Sequence, residues 1–270
     1  MTTVSRTPSK DLVDLDGERR YVALEHRLDP GAEQDWRAGD AELRTFVVVE
    51  GTVELETAGS DDGATDTVRI GTFDGWHAGP GSAFRVRNPG AATAAVIEAG
   101  AEAADAADAA GTAADTARTA HPGADGCRPV SGYRVDKPWG YELWYTANLE
   151  GAAYAVKQIH MTAGHQSSLQ SHRYKAETNY VVDGAATVLN GLPAPADTGT
   201  VVDVDRIPVA VHGPGGGWTS APGILHRVIA RSDYTSIEVS TPELDDVIRW
   251  QDDTGRGDGR IAAEHSGGGR

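Results

Sequence analysis

The sequence predicts an all-β chain built as two copies of one small sandwich or barrel. Three observations carry that prediction. Runs of four to eight residues, rich in β-branched side chains, recur between Gly, Asp, Pro and Asn punctuation. Glycine is abundant, 33 in 270 residues, and aromatic residues make up only 6%, which suits many turns better than a helical bundle. The two halves also repeat each other, LRTFVVVEG against AETNYVVDG and GPGSAFRVRNPG against SAPGILHRVIARS.

The elements follow in order. Residues 1–18 are polar and read as a flexible N-terminus. Residues 19–100 hold the strands YVALEHRL, LRTFVVVEG, TVELETAG, TVRIGTF, AFRVRN and TAAVIEAG, spaced as in a small sandwich or barrel. Residues 101–130 change character: the first twenty contain eleven alanines and no large apolar side chain. Alanine favours helix, but nothing here can bury against a core, so the stretch reads as a linker and domain boundary. In residues 131–256 the strand pattern resumes with YELWYT, AYAVKQIHM, SSLQSH, TNYVVDGAATVL, VVDVDRIPVAV, ILHRVIA and TSIEVST. PELDDVIRWQDD then reads as a short closing helix, with Pro242 in its first turn and acidic residues near its positive end. Residues 257–270 read as a flexible tail.

Composition limits the partners. The net charge is −16, with four lysines against twenty arginines. That excess, without a basic stripe, opposes binding to nucleic acid or an anionic membrane. It reads as adaptation to high salt, with an ordinary acidic protein from a GC-rich genome as the alternative. No apolar run is long enough to span a bilayer, and the N-terminus lacks the apolar core of a signal peptide. One cysteine, Cys127, excludes an internal disulfide and fits a reducing cytoplasm, the expected location.

Chemistry concentrates in GHQSSLQSHRYKAETNYVVDG, residues 164–184, and in SAPGILHR. Side chains two apart on a strand share a face, so Gln170 and His172 can converge. Glu177 opens the returning strand, and His226 stands alone downstream. Two imidazoles, a carboxylate and an amide oxygen make a plausible shell for a divalent transition metal: Zn, Mn, Fe or Co. In the first half all four are replaced. Aligned on Gly51 and Gly184, Arg37 stands for Gln170, Gly39 for His172 and Arg44 for Glu177; aligned on Gly81 and Gly223, Phe84 stands for His226. One copy is therefore chemically bare.

These residues resemble the cupin superfamily, whose motifs are G-x5-HxH-x3,4-E-x6-G and PxG-x2-H. Gln170 in the first histidine position is similar to the cupin-type phosphomannose isomerases. KPWGYELWY (137–145) and IEVSTPELDDVIRWQDDTGR resemble segments of the same family. The likeness covers about residues 134–256. Arg173-Tyr174-Lys175 and the proline of SAPGILH depart from it. The resemblance implies two jelly-roll barrels in tandem with a short C-terminal helix. Residues 19–100 form the degenerate barrel without ligands, and 131–256 the metal-binding one.

It also implies a metal-dependent sugar-phosphate isomerase, of mannose-6-phosphate type, or a related epimerase. Aldose–ketose isomerisation moves a proton between adjacent carbons, with a metal as Lewis acid and a nearby base as shuttle. Lys157, mid-strand, and Arg256, in TGR, are the catalytic candidates; alternation alone leaves open whether Lys157 faces inward. Arg173 and Lys175, at the turn over the barrel mouth, are candidates to hold the phosphate or carboxylate of a small sugar or sugar phosphate. Glu142 is a weaker base candidate. Trp139 and Trp144 read as packing for the domain's base. The bare copy supports the fold or pairs subunits into a homodimer. Two alternatives stand beside the isomerase: a cupin dioxygenase and a non-catalytic sugar-binding or regulatory cupin.

Overall fold

The computed structural model describes residues 9–15, 20–39, 43–58, 65–101, 126–147, 149 and 152–265. Most of the expected linker (102–125) and parts of both expected flexible ends (1–8, 16–19 and 266–270) lie outside the described residues. The chain divides into two compact units, one built mainly on Arg19–Gly132 and the other on Tyr133–Ala147 and Ala155–Arg270.

The first unit contains β1 (Ser9–Asp11), β2 (Tyr21–Leu28), β3 (Glu33–Arg37), β4 (Arg44–Glu50), β5 (Thr52–Ala58), β6 (Thr65–Gly71), β7 (Asp74–Ala78), β8 (Ala83–Arg87), β9 (Ala94–Ala101) and β10 (Cys127–Ser131). They form a six-stranded sheet, β1-β2-β9-β4-β7-β10, and a four-stranded sheet, β3-β8-β5-β6. The sheets share one core, in which Leu28, Phe46, Trp76 and Val96 of the larger meet Val53, Leu55 and Phe84 of the smaller. In β4, the run Thr45–Val49 is buried throughout, the pattern of a strand covered on both faces. β10 arises inside the stretch read as linker: it pairs with β7 from Cys127↔Ala78 to Ser131↔Asp74.

The second unit contains β11 (Tyr133–Lys137), β12 (Gly140–Trp144), β13 (Ala155–Met161), β14 (Leu169–Ser171), β15 (Glu177–Asp183), β16 (Ala186–Pro193), β17 (Val209–His212), β18 (Gly217–Ser220), β19 (Ile224–Ala230), β20 (Tyr234–Ser240), β21 (Ile248–Gln251) and a single helical turn, α1 (Ala262–His265). Its sheets are β11-β12-β13-β20-β15-β18 and β17-β16-β19-β14-β21.

The repeat is visible in this order. β2-β9-β4-β7 corresponds to β13-β20-β15-β18, and β3-β8-β5-β6 to β14-β19-β16-β17. The copies share a bulge, between Val48 and Glu50 in β4 and between Val181 and Asp183 in β15. They also share the turn after it. Gly51 and Gly184 both have left-handed backbones, φ 77° and 73°, and a Cβ on Gly184 would meet the Asp233 carbonyl oxygen at 1.9 Å. Only glycine fits at 184, and the left-handed backbone favours it at 51, which is why the motif could be read in both halves.

Two expectations about elements are corrected. VVDVDRIPVAV is not one strand: Val204–Arg206 forms a 3-10 turn, its Asp203 side chain accepting from the Asp205 N–H at 3.2 Å, and only Val209–His212 is extended. PELDDVIRWQDD is not a helix. Pro242 and the acidic residues imitate a helix start, but Ile248–Gln251 pairs with β14, and the short helix lies at Ala262–His265. The competing force is the open edge of β14, whose backbone groups find partners in β21.

Pairing also corrects the comparison between halves by one residue. Gln170 pairs with His226 across β14 and β19. The equivalent pair across β3 and β8 is Trp36 and Phe84. Trp36, not Arg37, therefore stands where Gln170 stands, because the connection into β4 is one residue longer than that into β15. A slip of one residue exchanges the faces of a strand, so this decides what fills the first barrel.

Candidate metal centre in the second barrel

Three short segments build the centre. β14 and the turn after it supply Gln170 and His172, β15 supplies Glu177, and β19 supplies His226. One ligand atom from each of His172, Glu177 and His226 can be chosen so that all lie within 4.8 Å of one another, and all three residues are buried. Glu177 Oε1 is 3.2 Å from His226 Nε2, and Glu177 Oε2 is 3.5 Å from His172 Nε2.

Backbone carbonyls set the tautomers. His172 Nδ1 bonds the carbonyl of Asp246, and His226 Nδ1 bonds that of Ile224 at 3.1 Å. A carbonyl can only accept, so each Nδ1 carries the hydrogen when the ring is neutral, and each Nε2 presents a lone pair. Burial pushes the His172 pKa down, against the opposing pull of Glu177, which favours that neutral form. His172 Nε2 is buried and has no hydrogen-bond partner. Two imidazole nitrogens and a carboxylate lie together out of water, and a divalent cation fits them.

Gln170 completes the set less directly. Its Nε2 lies 3.2 Å from His226 Nε2, while its Oε1 accepts from Ser168 Oγ at 3.0 Å. A flip of the amide exchanges nitrogen and oxygen, and the flipped form presents oxygen to the same place.

Asp246, which sequence reading missed, fixes the turn. Its carboxylate accepts from the backbone N–H groups of Arg173 (3.0 Å), Tyr174 (2.6 Å) and Lys175 (3.0 Å). Burial alone would raise the Asp246 pKa, but these bonds hold it below its usual value. The same residue therefore holds His172 by its carbonyl and the following turn by its side chain.

A cavity of about 120 Å³ opens on the centre. Its lining includes six Lys or Arg and four Glu side chains, a local reversal of the overall charge of −16. The charges are interleaved. Lys175 Nζ donates to Glu177 Oε2 at 2.6 Å and to Glu238 Oε1 at 2.8 Å. Lys157 Nζ lies 3.2 Å from Glu238 Oε2 and 3.0 Å from Glu142 Oε1. Burial raises the Glu177 pKa, but Lys175 outweighs it, so the carboxyl is held well below the usual range. Glu142 is likewise raised by burial, yet Lys157 and Lys137 bring it down to about 2. Burial lowers the Lys157 pKa, and Glu142 and Glu238 more than reverse this, leaving a firmly protonated ammonium.

The structure brings together Gln170, His172, Glu177, His226, Lys157, Lys175 and Arg256, all of which line the cavity. Alternation left the direction of Lys157 open; it faces inward, opposite Glu238. Lys175 is not at a solvated turn: it is 5% exposed and bound to Glu177 and Glu238. Arg173 is exposed and outside the lining, its backbone N–H held by Asp246, so its side chain is removed from the candidate site. Trp139 and Trp144 line the cavity as well, and Trp144 Nε1 donates to Glu142 Oε2 at 2.9 Å. Lys137, Glu238 and Glu264 were missed. The signal for Glu238 was available: a lone acid in the apolar strand TSIEVS.

No family model and no curated protein matches this chain. Solved structures do. Protein YlbA from E. coli, described with the family model DUF861, has a TM-score of 0.63 at 9% identity, over 89% of this chain and 85% of that one. Procruciferin, the 11S globulin of Brassica napus, has 0.59 at 12%, over 82% and 76%. Oxalate decarboxylase from Bacillus subtilis, studied for its Mn(II) centres, has 0.53 at 11%, over 82% and 68%. The fold is that of a bicupin. At these identities the likeness concerns the fold alone: the bicupin architecture carries an enzyme in one neighbour and a globulin in another. Among the described residues, no helix is long and apolar enough to cross a membrane.

Proposed function

We propose that the second barrel is a divalent-metal centre acting on a small anionic sugar derivative, as an aldose–ketose isomerase of the mannose-6-phosphate type does. One observation carries the reading: the buried His172–Glu177–His226 cluster, in which His172 Nε2 has no hydrogen-bond partner. His172, Glu177, His226 and a flipped Gln170 would hold the ion. Zn, Mn, Fe or Co suits this mixed shell, and the Mn(II) centres of a bicupin neighbour favour testing Mn first. When bound, such an ion supplies Lewis-acid polarisation of a substrate oxygen.

The remaining roles belong to the chain. The Lys157 ammonium is a hydrogen-bond donor for a substrate oxygen that gains negative charge, not a base. Trp139, Trp144 and Met161 keep water away from one side of the cavity. Glu142 becomes a useful base only if an incoming anion or a rearranged lysine loosens its ion pairs, since at about 2 its pKa is far from the value a general base needs.

The test is incubation with aldose and ketose phosphates in deuterated water, with Mn, Zn, Co or Fe added in turn. Deuterium entering C1 or C2 of one sugar phosphate supports isomerisation. Its absence with every sugar and metal removes the isomerase and leaves binding or oxygen chemistry. The second reading, a metal-free sugar-binding barrel, has its own support in Lys175: its ammonium already neutralises Glu177 at 2.6 Å.

A further inference from the structure

The ion pairs that begin at Glu177 continue to the outer end of the cavity. Lys137 Nζ lies 3.2 Å from Glu142 Oε2 and 2.8 Å from Glu264 Oε2. Arg256 bonds Asp252 Oδ2 at 2.7 Å and reaches Glu264 Oε1 at 3.4 Å. Each oxygen of the Glu264 carboxylate therefore faces a different cation. The side chains of Lys137, Arg256 and Glu264 are only 10%, 13% and 13% exposed. All three line the cavity that opens on the metal centre.

Glu264 differs from the other carboxylates of this network. It comes from α1, a single turn, downstream of the left-handed Gly255 (φ 69°) and Gly259 (φ 74°), where the backbone turns without a Cβ penalty. The cations do not depend on it for a partner: without Glu264, Lys137 keeps Glu142 and Arg256 keeps Asp252. A carboxylate held by two cations that each have another partner is replaceable by any oxyanion of similar size. Phosphate and carboxylate groups both bring oxygens at the spacing that Lys137 and Arg256 already bridge.

We propose that Lys137 and Arg256 form an oxyanion subsite for the phosphate or carboxylate of the substrate, that Glu264 occupies it in the free protein, and that an incoming oxyanion displaces Glu264. The inference rests on reading the cavity as a small-anion site and assigns which end of it holds the anion. It makes Glu264 a built-in competitor: part of the ligand's binding free energy is used to expel it, so its removal strengthens binding.

The experiment uses the full chain, treated with chelator so that no metal contributes, and calorimetric titration with inorganic phosphate and, separately, acetate. Circular dichroism and thermal melts confirm the fold of each variant. Glu264→Gln is expected to bind one of the two anions on the order of tenfold more tightly than the parent. Adding Lys137→Met is expected to abolish that gain. Phosphate preference identifies a phosphate subsite, and acetate preference a carboxylate subsite. Glu264→Ala repeats the test should the glutamine retain the same contacts. Unchanged or weaker binding in folded Glu264→Gln and Glu264→Ala overturns the proposal, as does a gain that survives Lys137→Met. Because metal is absent, failure here leaves the deuterium test untouched, and failure of that test leaves this result standing.

Discussion

The two barrels share a strand order and differ in what fills them. In the first, Trp36, Phe46, Trp76 and Phe84 form one aromatic cluster, with Phe46 stacked on Trp76 at 4.8 Å and edge-on to Trp36 at 5.0 Å. In the second, the positions of Trp36, Arg44, Phe46 and Phe84 hold Gln170, Glu177, Asn179 and His226. One interior acidic position is common to both, Glu98 in β9 and Glu238 in β20. In the first barrel Glu98 meets His26 at 2.9 Å and Arg44 at 3.8 Å; in the second Glu238 meets two lysines. The remaining cavity follows the contents, about 60 Å³ against about 120 Å³. The backbone thus offers an interior that side chains convert either into a core or into a site.

The largest predicted effect breaks the first barrel. Trp76 is fully buried, so Trp76→Ala should cost roughly 3–5 kcal/mol of stability in that unit, read by urea unfolding. Bound metal in the second barrel should be unchanged. Lys175→Met sharpens the contrast from the other side. It leaves Glu177 and Glu238 without their shared cation, and the metal-free protein should lose roughly 3 kcal/mol. Added Mn or Zn should restore part of that loss, because the ion takes over the charge that Lys175 balanced. A variant equally unstable with and without metal would contradict this.

The second barrel should carry a buried acid transition. The folded-state pKa of Glu142, about 2, lies below its ordinary 4.5. Its stabilisation is therefore complete above about pH 4.5 and is lost as the pH falls toward about 2, a change of about 3 kcal/mol. Glu142→Gln should make the stability profile of that unit less steep across this window, the remaining slope belonging to Glu177, Asp246 and Asp252, measured by denaturant unfolding at several pH values. The smallest effect belongs to Arg173→Ala. The side chain is exposed and lies outside the cavity lining, so stability should change by less than about 0.5 kcal/mol and substrate affinity not at all.

Much of this contrast was legible in the sequence because it rests on local rules. Gly51 and Gly184 mark the same left-handed turn, and the spacing of Gln170, His172 and Glu177 follows strand alternation. What was not legible depends on partners far along the chain. β21 lies beside β14 because β14 has an open edge, which no local pattern in PELDDVIRWQDD records. The inward turn of Lys175 depends on Glu238, and the tautomer of His172 on the carbonyl of Asp246. Trp36 was not legible as the counterpart of Gln170 because the segment between Trp36 and β4 is one residue longer than that between Gln170 and β15, which shifts the register.

The central claim is that the second barrel holds a metal and the first does not. Elemental analysis and Mn or Zn titration of the full chain and of His172→Ala test it most directly. One divalent ion per parent chain, and none in a folded His172→Ala, is the predicted result. Equal metal in the two proteins, or none in the parent at saturating Mn and Zn, would contradict it.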